Sequence, residues 1–351
     1  MKAICFDSVG NVSCREIADP KLEAATDAIV RVELAGLCGS DLHPFFGRER
    51  GLDPGTVMGH EFVGEVVEVG EQVRQIEIGH RVFAPFSTSC GVCFYCRTAL
   101  PSRCVKNQLF GWRSKDRGLH GGQAEFVRVP LADGTLKQIP KGLTPESALL
   151  LGDNFSTGYF CAQMAGVTSL GTHAVIGCGT VGLLAIIAAK SLGAKNIIAI
   201  DQVEERRQQA ERLGAIAATP DSAWSRVSEL SDGRGADAVM ELVGLPEAQA
   251  LAYRLIRPGG TMSVIGCHCT EHFAFSPVDA YDKNLTYKTG RCPARHYMEL
   301  LTNRVASGEF AAGEQAIDSF ITHRFSLDDC REAYDIFANR RHGCVKAAFV
   351  I

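Results

Sequence analysis

Residues 173–201, HAVIGCGTVGLLAIIAAKSLGAKNIIAID, decide how the rest of the chain is read. The segment opens with an apolar run that predicts a buried strand and turns at Gly177-Cys178-Gly179-Thr180-Val181-Gly182. It continues as an Ala/Leu/Ile-rich helix ending near Gly193. A second apolar run, Ile197 to Ile200, then delivers Asp201. A lone GxGxxG also occurs in ordinary crossover turns, but here it lies inside the full strand, turn, helix, strand, acid unit that holds a dinucleotide. Gly177 permits the tight turn, Gly179 lets backbone approach a pyrophosphate, and Gly182 lets helix and strand pack closely. Thr180 and Val181 begin a helix whose free N–H groups and partial positive charge suit phosphate. Asp201, 19 residues past Gly182, stands where a carboxylate accepts hydrogen bonds from an adenosine ribose. Such a carboxylate repels a 2′-phosphate and no basic residue directly follows it, which favours NAD over NADP. Arg206 and Arg207 follow within a turn and temper that preference.

The chain has 351 residues, enough for two domains with separate cores. Its 36 basic and 40 acidic residues leave a formal charge of −4, and no block of lysines and arginines stands out. That balance argues against nucleic acid or an anionic membrane as a partner. The start, MKAICFDSVGN, lacks the apolar core of a secretory signal, and no apolar run approaches a membrane span, so a cytoplasmic protein is expected. Fourteen cysteines, mostly scattered through a large chain, point to metal binding and free thiols rather than disulfides.

Short alternating runs at Ala28 to Leu34, Phe62 to Val69 and Arg81 to Ala84 predict a mostly β first domain. Into its loops fall Cys38-Gly39-Ser40-Asp41-Leu42-His43 and then Gly59-His60-Glu61. By spacing these read either as a metal site or as a buried cysteine and a satisfied histidine–acid pair. Cys90, Cys93, Cys96 and Cys104 place four thiols in fifteen residues, a set that closes a tetrahedral zinc shell with no position left for water. An iron–sulfur cluster fits less well, because seven residues precede the last cysteine and valine follows it. The irregular stretch from Asn107 to Gly122, with Phe110 and Trp112, either borders a substrate pocket or anchors a loop. Gln123 to Val129 predicts a strand and Pro145 to Leu151 a helix, after which Asp153 by residue type alone reads as a helix N-cap.

Beyond Asp201 the doubly wound pattern continues. Helices are expected at Glu204 to Leu213 and Pro246 to Ile256, and strands at Asp237 to Val243 and Thr261 to Gly266, the last after a Pro258-Gly259-Gly260 turn. Tyr281 to Arg295 is expected to leave this unit, with Lys288, Arg291 and Arg295 solvated or facing phosphate or a sister subunit. Tyr297 to Ser307 and Leu327 to Asn339 predict helices, and Cys344 to Phe349 a final strand.

These motifs in this order resemble the zinc-dependent alcohol dehydrogenases of the medium-chain dehydrogenase/reductase superfamily, over essentially the whole chain. The resemblance implies an α/β protein with a GroES-like β domain at 1–153, a doubly wound parallel Rossmann domain at 154–288, and residues 289–351 returning to the first. It implies two zinc ions per subunit. Cys38, His60 and Asp153 would hold the catalytic one, where some relatives have cysteine in the third place, and the four-cysteine lobe would hold the structural one. Glu61 would be an adjacent or transient ligand, Asp41 would orient His60, and Ser40 and His43 would relay the proton. Thr157 would pack behind the nicotinamide, Lys346 would reach the pyrophosphate or be a solvated strand lysine, and Phe86 would line the substrate pocket along with Ser40. Gly39 stands where several relatives carry a basic residue, so that contact is lacking. The implied reaction is hydride transfer between a small or medium alcohol and NAD, giving an aldehyde or ketone, in a homodimer or homotetramer. A polyol dehydrogenase and a formaldehyde dismutase-like enzyme that retains its NAD are the alternatives. A cofactor-binding structural protein is the rival of a different class.

Overall fold

The computed structural model describes residues 1–310 and 316–351, so residues 311–315 of the expected C-terminal return lie outside the described residues. The chain forms two compact units. The first comprises Met1–Ser156 with residues 293–310 and 316–351, and the second is Thr157–Cys292.

The first unit is built on a seven-stranded sheet. Its strands run in the order Ile321–Phe325, Lys346–Val350, Ala28–Leu37, Phe62–Val69, Arg81–Phe83 and Lys137–Gln138, with Phe126–Val129 also paired to Ala28–Leu37. Alternating Val, Ile and Phe side chains on these strands bury one continuous core that includes Val30, Phe62, Val82, Phe110, Tyr334 and Phe349. Phe110 therefore belongs to the packing: it meets Phe62 edge to face at 5.0 Å, which favours the loop anchor of the two readings of Asn107 to Gly122. The final strand enters beside Ala28–Leu37 in antiparallel register, Ala347 opposite Leu37, and so brings Lys346 to the loop that carries Cys38. The sequence pattern missed an opening hairpin of Lys2–Ser8 with Asn11–Glu16.

The second unit is a six-stranded, wholly parallel sheet in the order Ile216–Ala218, Asn196–Ile200, Thr172–Ile176, Ala236–Glu241, Ile256–Val264, Thr286–Thr289. Numbered along the chain this is 3-2-1-4-5-6, the doubly wound order whose direction reverses beside the first strand. Two expectations need correction. Pro258-Gly259-Gly260 is no separate turn: the strand starts at Ile256, and Gly259 at φ +72° absorbs a bulge between the Ala236–Ile256 and Ala238–Thr261 pairs. Nor does the chain leave this unit at residue 289, because Thr286–Thr289 is the sixth strand of the sheet and the return begins at Pro293. Lys288 is exposed, as a solvated lysine would be, and its ammonium also donates to the Met164 carbonyl at 2.9 Å, whereas Arg295 is paired with Glu299.

Candidate active site

Cys38 ends the strand Ala28–Leu37, and the short turn Gly39–Asp41 follows it at once. Asp41 closes that turn by accepting the Cys38 N–H at 2.9 Å on Oδ2, which leaves Oδ1 to meet His60 Nδ1 at 3.1 Å. His60 and Glu61 come from the neighbouring strand's approach, where Ala35 pairs with Phe62 and Gly36 donates to the Glu61 carbonyl. Asp153 stands just past the helix Pro145–Gly152, whose N-terminus is capped by the Thr144 hydroxyl. Asp153 therefore caps the C-terminal end of one helix and directly precedes the next, Asn154–Ala165.

One ligand atom each from Cys38, His60, Glu61 and Asp153 lies within 4.8 Å of the others. Asp153 Oδ2 is 3.4 Å from the Cys38 sulfur and 3.6 Å from His60 Nε2. Because Asp41 takes the Nδ1 side of His60, it is Nε2 that faces the group, the nitrogen a metal-bound imidazole would use. Ser40 Oγ stands 3.2 Å from that same Nε2. His43 is buried, and its Nδ1 has no hydrogen-bond partner among the described residues. Burial, helped by Arg48 and opposed by Asp41, lowers its pKa and keeps it neutral near pH 7.

The electrostatics call for a cation. Burial opposes a charge on His60, yet Asp41 and Asp153 carry its pKa well above the usual imidazole value. Burial likewise opposes ionisation of Asp153, yet His60 pulls it down to about 2. Burial, reinforced by Glu61 and Asp153, raises the Cys38 thiol. A thiol, an imidazole and two carboxylates shut away from water hold each other in place only at such cost, and a divalent ion answers all of them at once. The residues thus fit zinc.

Lys346 is not a solvated strand lysine, nor is its ammonium directed at a phosphate. It is 1 % exposed and ion-paired with Glu61, itself 1 % exposed. Burial raises Glu61 against the pull of Lys346, while Glu61 raises Lys346 against burial. We take the pair as ionised, because neither charge has another partner so close and an isolated buried charge is the costlier state.

Asn154 escaped the sequence reading. It is 1 % exposed, and its amide donates to Glu61 Oε1 at 2.8 Å and Asp153 Oδ2 at 3.2 Å. Only its place next to Asp153 could have drawn attention to it.

The four-cysteine lobe lies in the same unit. The sulfurs of Cys90, Cys93, Cys96 and Cys104 are within 4.8 Å of one another, and those of Cys93 and Cys96 are 3.6 Å apart. Backbone N–H groups of Cys90 and Lys106 donate to the Cys104 sulfur at 3.3 and 3.4 Å. The Cys96 and Val105 backbone lowers Cys93 to about 6, while burial and then Cys93 push Cys96 to about 12. Phe86 is half-buried before this lobe, and its carbonyl accepts the Phe110 N–H.

In the second unit, Gly177 adopts φ +91° and its N–H donates to the Ile200 carbonyl at 2.8 Å. A Cβ on Gly182 would collide with the Gly177 carbonyl, so the turn admits only glycine there. At Gly179 the nearest atoms to an added Cβ belong to the Arg206 guanidinium, at 3.7 Å, which leaves the backbone approachable. Gly179 is the N-cap of the helix Thr180–Ser191 and supplies no side-chain cap. Asp201 accepts the Cys178 and Val203 N–H groups, each at 2.8 Å, which fixes its carboxylate against the glycine turn. Arg207 is spent on the carbonyls of Asp201 and Gln202, while Arg206 lies 3.8 Å from the Asp201 carboxylate. These donors and this anchored acid fit a dinucleotide. Thr157 is half-buried on the helix Asn154–Ala165.

Comparisons with known proteins agree with this chemistry. Residues 24–141 match the alcohol dehydrogenase GroES-like domain family and residues 180–307 the zinc-binding dehydrogenase family. Zinc-type alcohol dehydrogenase B of Aspergillus flavus is 44% identical over 308 residues, covering 84% of this chain and 70% of the relative. The alcohol dehydrogenase of Thermus sp. ATN1 superposes with a TM-score of 0.93 at 35% identity, covering 100% of both chains. A zinc-binding dehydrogenase of Sinorhizobium meliloti bound to NADP gives 0.79 at 30% identity, with 100% and 99% covered. An Escherichia coli alcohol dehydrogenase complexed with NADH gives 0.85 at 25% identity, with the same coverage. No helix among the described residues is long and apolar enough to cross a membrane. The chain belongs to the zinc-dependent alcohol dehydrogenases of the medium-chain dehydrogenase/reductase superfamily, oxidoreductases that use a nicotinamide cofactor and act on small-molecule alcohol substrates.

Proposed function

We propose that the protein oxidises a small or medium primary or secondary alcohol with NAD, and reduces the corresponding aldehyde or ketone. Cys38, His60 and Asp153 would hold a catalytic zinc, and Cys90, Cys93, Cys96 and Cys104 a structural one. The convergence of thiol, imidazole and carboxylate from three distant stretches is the observation that carries this reading. When bound, zinc supplies stabilisation of the alcohol oxygen's negative charge and the nicotinamide supplies the hydride acceptor.

The protein's own groups do the rest. Asp41 holds His60 in the tautomer that presents Nε2. Ser40, 3.2 Å from that nitrogen, is placed to accept the proton leaving the substrate hydroxyl. His43, neutral and with an unpaired Nδ1, is suited to receive it next. Phe86 gives the substrate an apolar wall, and Thr157 would back the nicotinamide ring. Asp201, held by two N–H donors, would accept the adenosine ribose hydroxyls. Its charge opposes a 2′-phosphate, and Arg206 only partly offsets it. We further propose a homo-oligomer.

The test is absorbance at the reduced-nicotinamide band across alcohols, polyols and aldehydes with NAD and NADP, alongside metal content. Two zinc ions per chain and turnover of simple alcohols with NAD are expected. Preference for polyols would move the substrate class, and nicotinamide that co-purifies would favour aldehyde dismutation. No turnover despite bound zinc would remove the reading.

A further inference from the structure

Two carboxylates stand within reach of the proposed catalytic zinc, Asp153 and Glu61, and both belong to the group whose ligand atoms lie within 4.8 Å. Three protein ligands leave a position for substrate, whereas a fourth closes the shell. Something must therefore choose between the two acids.

Glu61 is held at both oxygens. Oε2 rests on the Lys346 ammonium, and Oε1 accepts the Asn154 amide at 2.8 Å. Its carboxylate occupies space that exists only because residue 36 is glycine, since a Cβ there would collide with Glu61 Oε2. The same Asn154 nitrogen lies 3.2 Å from Asp153 Oδ2 and 3.9 Å from the Cys38 sulfur. Turning the amide over would point its oxygen at two carboxylates and a sulfur, so the nitrogen must face them. Asn154 Oδ1 is buried with no hydrogen-bond partner among the described residues. An amide contributes these donors without adding a charge that would compete with a cation.

We infer that Asn154 is the positioning residue that decides which carboxylate serves the metal. By donating to Glu61 Oε1 while Lys346 holds Oε2, it keeps Glu61 out of the ligand set and leaves Cys38, His60 and Asp153 with an open position. The inference rests on the zinc reading above. Without this donor, Glu61 has a buried oxygen unsatisfied beside a dication and turns towards it.

The experiment replaces zinc with cobalt(II) at the Cys38 site, leaves zinc in the four-cysteine lobe, and compares visible absorption of wild type, Asn154→Ala and Asn154→Ala/Glu61→Gln. The wild type is expected to show the intense bands of four-coordinate cobalt. Asn154→Ala should lose intensity several-fold as Glu61 adds a ligand, and the double variant should regain it. Loss of the metal to a chelator should change by about tenfold in Asn154→Ala, the scale for groups that support metal ligands. Asn154→Leu removes the donor while filling its space, and carries the test if Asn154→Ala does not fold. Bands of unchanged intensity in a folded variant, or weak bands that persist in the double variant, would overturn the inference alone. A wild type that takes no cobalt at Cys38 would overturn the zinc reading and the inference with it.

Discussion

Two sites in one unit bring together side chains that could ligate a metal, and they do so in opposite ways. The four-cysteine lobe is made by a single loop of fifteen residues, Cys90 to Cys104, with Val92, Phe94 and Val105 exposed around it. The Cys38 centre draws on strand ends and a helix end, with Cys38 and Asp153 115 positions apart, and its other side chains are held by further groups. Asp41 sets His60, Asn154 reaches Asp153, and Lys346 holds Glu61. The lobe is local and four-sulfur, which suits a closed structural shell. The centre is non-local and mixed, which suits a shell with a place for substrate.

The largest effect separating the two should come from Cys38→Ala. Turnover should fall by at least about 10²–10³-fold, the scale of losing one preorganised electrostatic group, with little change in the melting curve. Turnover near the wild-type rate would break the comparison on the catalytic side. Cys93→Ser should do the reverse, removing one zinc and several kcal/mol of stability, since metal binding there is folding energy. Metal analysis with thermal unfolding reads both, and an unaltered melting temperature would count against a structural lobe. Asp201→Ala tests neither metal and serves as the control in the other unit. It should raise the KM for NAD by about tenfold, ~1.4 kcal/mol, and narrow the margin over NADP, while zinc content stays the same.

The smallest effect sharpens the contrast between the thiols. In metal-stripped protein Cys93, lowered to about 6 by backbone donors, is mostly thiolate at pH 7, whereas burial raises Cys38. Iodoacetamide should therefore label Cys93 at neutral pH and lose rate as pH falls below about 6, where the thiolate takes up its proton, and Cys38 should stay largely unlabelled. Zinc should protect Cys93. Equal labelling of both would show that the two environments do not differ as described.

Much of this was legible in the chain, for a physical reason that also marks where legibility ended. The glycine turn and the four-cysteine loop are local: a Cβ collision at Gly182, or four thiols in one loop, depends on neighbours in sequence. The misreadings were tertiary. Pro258-Gly259-Gly260 looks like a turn unless the neighbouring strand is there to make it a bulge. Thr286–Thr289 is only four residues long, too short for its pattern to decide, and is fixed as a strand by pairing with Ile256–Val264. Lys346 was legible as a basic residue on a final strand, but its target depended on that strand lying antiparallel beside Ala28–Leu37.

By itself, then, the sequence determined the doubly wound unit, its acid at Asp201, the sulfur lobe and the types of ligand available, because spacing and side-chain chemistry are written along the chain. Which groups surround the Cys38 centre was decided by the tertiary structure alone. Glu61 meets Lys346 across 285 positions and Asn154 across 93, and a contact between residues so far apart follows from strand register and helix placement.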